Sequence, residues 1–98
     1  MISVAEVAES LSGYRASLGD VYAMKDILMD ALVSLGAHPL ADTDFGGPRR
    51  KKVYCASDAA EQLVQRYIGG IAHLGDVIVI EEAMNRCLAL VGRGTACM

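Results

Sequence analysis

The sequence has no tryptophan, one phenylalanine and four tyrosines. Aromatics make up 5% of the chain and apolar residues 53%, so the apolar content is mainly Ala, Val, Ile, Leu and Met. That mixture suits helix-on-helix packing. It argues against a sandwich or barrel, whose cores lean on aromatic and β-branched side chains. Proline is scarce too, and Pro39 and Pro48 both fall in one central stretch. Cysteine occurs three times, at Cys55, Cys87 and Cys97. An odd number without close spacing argues against a secreted disulfide framework and predicts free thiols in a reducing cytoplasm.

Two further absences bear on location. No stretch approaches the roughly 18 uncharged apolar residues of a membrane span. The opening Met1-Ile2-Ser3-Val4-Ala5-Glu6 carries an acid and no basic lead, so a secretory signal is not expected. The expected location is therefore cytoplasmic, with no membrane partner.

The chain has 98 residues, enough for one domain, 1–98, with a modest core. Its net charge is -3, from twelve acids and nine bases. Four of the bases are consecutive, Arg49, Arg50, Lys51 and Lys52. The remainder is an acidic body, with no general attraction for nucleic acid or anionic membrane.

Apolar residues recur at alternating steps of three and four in two segments. The first covers about 4–35, through Val4, Val7, Leu11, Tyr14, Leu18, Val21, Leu28, Leu32 and Leu35. This is the spacing of a packed helix, and Lys25 is the one polar seam position. Ser3 and Glu6 predict a capping box, and Gly36 followed by Pro39 predicts the stop. A loop over about 37–56 holds Gly46-Gly47-Pro48 and the basic run. The second segment, about 58–91, is predicted to open at Ser57-Asp58 as N-cap, with Glu61 completing a box from Asp58, and to stop at Gly92. Its seam includes Val64, Tyr67, Ile71, Leu74, Val77 or Ile78, Met84, Cys87 or Leu88, and Val91. The tail, 93–98, is expected to be disordered.

The two segments repeat one another. Ala16-Ser17-Leu18-Gly19-Asp20-Val21 aligns with Ala72-His73-Leu74-Gly75-Asp76-Val77. The same offset of 56 brings Gly13 to Gly69, Leu32 to Leu88 and Gly36 to Gly92. Since 56 is a multiple of seven, heptad phase is preserved, as expected of a tandem duplication. Leu-Gly-Asp-Val could be a turn that opens a new helix, with Asp as N-cap. The unbroken seam phase favours the alternative, a helix interior.

The fold expected is thus all-α: an antiparallel hairpin of two long helices, each with a potential break at Leu-Gly-Asp-Val. Two helices of about 32 residues would each span about 48 Å, longer than a globule of this size. Pairing two hairpins into a dimeric bundle would cover the excess seam. Val77-Ile78-Val79-Ile80 is apolar on every face if helical, and a buried strand is the competing reading. Glu81-Glu82-Ala83-Met84 follows without a break and favours helix. The expected homodimer interface is Val77, Ile78, Ile80 and Met84 with Leu28 and Leu32.

Chemistry is sparse. His38 and His73 share no metal-site spacing with Cys55, Cys87, Asp42 or Asp44, so neither metal nor cofactor is expected. Cys55, between the basic run and a helix start, is the thiol best placed for reactivity. Glu81 and Glu82 are adjacent and read as a solvated edge. Met24, Met29 and Met84 are core filling or an adaptable partner surface. No catalytic residues are assigned and no enzyme is expected. The expected function is that of a small regulatory or adaptor protein, of the bacterial kind that binds and masks a transcription regulator or an enzyme. The alternative is a nucleic-acid-binding helical dimer in which Arg49, Arg50, Lys51 and Lys52 contact phosphate and Tyr54 stacks on a base.

Overall fold

The computed structural model describes residues 3–12, 18–38, 55–90 and 92. All the regular structure among them is α-helical: α1 (Val4–Ser12), α2 (Leu18–Ser34), α3 (Ala56–Tyr67) and α4 (Leu74–Leu90). The chain is all-α, as its composition predicts.

The first helix starts as its sequence dictates. Ser3 Oγ accepts from the Glu6 amide at 3.0 Å, and Glu6 Oε2 accepts from the Ser3 amide at 3.2 Å. Two otherwise orphaned donors are satisfied reciprocally. The end of α2 is equally legible. Gly36 has φ +92, its amide donates to the Val33 carbonyl, and the Ala37 amide donates to the Leu32 carbonyl. That is a Schellman stop, and Ala37 is buried beside the helix it closes.

The second segment is not one long helix: it is broken between α3 and α4. Gly69 and Gly70 take φ +87 and +71, a conformation that no helix interior contains. In the second copy, Leu-Gly-Asp-Val is therefore a helix opening and not an interior. Leu18 and Leu74 are the first residues of α2 and α4. The His73 carbonyl accepts the first bond of α4 from the Val77 amide at 3.0 Å. The apolar spacing can be counted across the break although Ile71 and Leu74 beside it are exposed, so spacing alone establishes neither burial nor a continuous backbone there. Residues 13–17, the basic run and 93–98 lie outside the described residues.

The start of α3 also differs from expectation. Its N-cap is Cys55, with extended backbone and no side-chain cap bond, and Ser57 and Asp58 sit exposed in the first turn. Cys55 is held in a disulfide, so its sulfur is unavailable for capping and is not the free thiol expected. Cys87 is free and buried.

The chain's two halves fold alike. α2 and α4 each have 17 residues, and their bounds are related by the offset of 56. Met24, Leu28 and Leu32 are buried, as are their counterparts Ile80, Met84 and Leu88. Tyr22 and Ile78, again counterparts, are nearly half exposed. Gly36 and Gly92 both have positive φ and donate to the equivalent carbonyls of Val33 and Ala89.

These halves pack through α2 and α4. α4 is central: it contacts α3, α2 and, less extensively, α1. α1 lies on α2, while α3 scarcely touches α1 or α2. Ala56, Ala59 and Ala60 give α3 a small-residue face, with Leu63 and Val64 completing its share of the core. The Cys87 thiol donates to the Met24 carbonyl at 3.5 Å, joining α4 to α2. The longest principal extent is 33 Å, which accommodates 17-residue helices of about 25 Å but not helices of 48 Å.

Candidate interaction surface

Four of the six residues expected at a dimer interface are core residues of the single chain. Leu28, Leu32, Ile80 and Met84 have no exposed surface. Val77 is partly buried against the same core. All belong to one core cluster to which α2 and α4 both contribute, so these seam residues are covered within a single chain. Val77-Ile78-Val79-Ile80 is helical, as favoured, but it is not buried all round. Ile78 and Val79 face outward, at 45% and 36% exposure.

What the core leaves outside is concentrated at the start of α4. Ile71 is 86% exposed and Leu74 76% exposed. Ile71 belongs to the bend after Gly70, and Leu74 and Ile78 are one turn apart on one helix face. Both Ile71 and Leu74 were expected in the buried seam. The break at Gly69-Gly70 turns them out. The repeat carries a signal of this: Arg15 stands where Ile71 stands in the second copy, and a charged counterpart marks a surface position. Tyr22, Val33 and Leu90 are exposed elsewhere on α2 and α4.

Carboxylates follow this apolar ridge. Glu81 and Glu82 lie three and four residues beyond Ile78, on the same side of α4, and Glu82 is exposed. The rest of the described surface has the same sign. Ten acidic side chains lie on the four helices, none of them buried, against Lys25, Arg66 and Arg86. Lys25, the polar seam position, is itself buried. Arg66 lies over the Tyr67 ring at 5.1 Å.

Groups with catalytic potential do not converge among the described residues. His38 and His73 are both exposed, and no three His, Cys, Asp or Glu side chains gather there. Burial pushes the Cys87 thiol up from 9.0 to about 12, with Arg86 opposing weakly. It is a protonated packing group, not a nucleophile. Arg49, Arg50, Lys51, Lys52 and Tyr54 lie outside the described residues. No described helix is long and apolar enough to cross a membrane. No family model, characterised protein or solved structure matches this chain.

Proposed function

We propose that this is a small helical adaptor or regulator that acts by binding and masking a partner protein, without catalysis of its own. The observation that supports it is the ridge of Ile71, Leu74 and Ile78. These side chains stay in water although the fold has a well-filled core. Single exposed apolar residues are ordinary, whereas three in succession at one helix start are the kind of surface a partner covers.

The reading is tested by affinity capture of the tagged chain from the cells that make it, followed by measuring absorbance at 260 nm. A protein partner recovered in fixed ratio, without nucleic acid, is the expected result. A second reading is a nucleic-acid-binding helical dimer using Arg49–Lys52, and it rests on that basic run. The acidic character of the helices opposes it, since phosphate would meet like charge over most of the described surface. Nucleic acid that co-purifies and is released by salt would favour it over the first reading.

A further inference from the structure

We infer that the ridge Ile71–Leu74–Ile78 docks a cationic amphipathic segment of the partner, its apolar face on the ridge and its Lys or Arg side chains against Glu81 and Glu82. The inference rests on the protein-binding reading above and names the chemistry of what is bound. Two observations combine. The ridge offers Leu74 and Ile78 one turn apart on α4, 76% and 45% exposed, with Ile71, 86% exposed, in the bend just before them. One turn beyond Ile78 the same face becomes anionic through Glu81 and Glu82. A complementary segment therefore needs apolar residues at one end of its face and cations at the other.

The charge on the described surface selects the same occupant. An acidic segment would meet the carboxylates of Glu81 and Glu82 on α4 itself. A second copy would bring the same acidic helices against these, so self-association through this face is disfavoured. A purely apolar segment would leave the carboxylates beside the ridge partly desolvated and unpaired, which costs affinity.

The test uses the full chain and a labelled synthetic helical peptide with Leu on one face and Lys on the other. Two control peptides carry Glu in place of Lys, or the same residues without an apolar face. The chain should bind the Leu/Lys peptide and neither control. Ile71→Ser with Leu74→Ser should weaken binding about tenfold or more. Glu81→Lys with Glu82→Lys should weaken it about threefold to tenfold and flatten its dependence on salt. Val33→Ser, an exposed apolar position on α2, should leave it unchanged. Circular dichroism of each variant checks that the fold persists. Equal binding of the Glu peptide, no loss in the Ile71/Leu74 variant, or a wild-type dimer that this variant dissolves would overturn the inference.

A photo-crosslinker at Leu74, compared with one at the exposed Glu61 of α3, separates the two levels of the argument. Crosslinks at Leu74 to a cationic amphipathic stretch support both. Crosslinks at Glu61 alone overturn the docking site and leave the protein-binding reading standing. Crosslinks at neither position count against both.

Discussion

Gly36 shows how much one residue settles. Its φ of +92 lets the chain leave α2 and bury Ala37 at once. A methyl group added there would meet no atom within 4 Å, so only backbone strain opposes it. Gly36→Ala should cost about 1–2 kcal/mol, read as a lower urea midpoint with unchanged slope. Cys87 gives a second prediction at this scale. Below 9.0 the thiol is neutral in both folded and unfolded chains. Between 9.0 and about 12 the unfolded thiol ionises while the buried one keeps its proton, so stability should fall as pH rises through that window. At neutral pH, Cys87 should be modified by a thiol reagent only as fast as the chain opens. Rapid native-state labelling would show that the α2–α4 contact is looser than described. The Ser3–Glu6 box and the Gly36 stop were legible in the sequence, because local hydrogen bonding decides both. The Cys55 disulfide was not, because pairing depends on which distant segments the fold brings together.

Elements were legible in kind and less so in extent. Apolar spacing correctly assigned both halves as helical, since Ala, Leu and Met at steps of three and four serve little else. It overran the break at Gly69-Gly70 because steps of three and four can be counted across a bend as readily as along a helix. The glycines were the better guide: Gly69 and Gly70 end the helical run outright. The error carried through to the surface. Residues read as one continuous seam divide around α4 into an exposed part before and at its start, Ile71 and Leu74, and a buried part, Met84, Cys87 and Leu88. Neighbours in Val77-Ile78-Val79-Ile80 should therefore respond oppositely to charge. Ile80→Asp places a carboxylate in a site with no exposure and should abolish the cooperative thermal transition. Ile78→Asp, at 45% exposure, should leave the far-ultraviolet dichroism intact and change stability by less than about 1 kcal/mol. Similar losses from both would contradict the orientation of α4.

At the scale of the whole molecule, packing of α2 and α4 within one chain accounts for the apparent excess of apolar seam. The counterparts Leu28 and Met84, and Leu32 and Leu88, are buried in one core cluster within a single chain, in which α2 and α4 are in contact. Cleaving the chain within 39–54, under reducing conditions, should leave the α1–α2 and α3–α4 pieces associated one to one, with the dichroism of the intact protein. Pieces that separate on a sizing column would show that the joining segment, not the α2–α4 contact, holds the halves together.

Covalent joining of the repeats changes how the α2–α4 contact responds to abundance. Two separate hairpins would assemble only above their dissociation constant, and dilution would strip them to monomers. On one chain each repeat experiences an effective local concentration of its partner of about millimolar order. The contact should therefore persist in a cell that makes only a handful of copies. Joining also frees the repeats from having to mutate in step. Arg15 and Ile71, one charged and one apolar at the same repeat position, are a divergence that a symmetric pair of identical hairpins could not sustain.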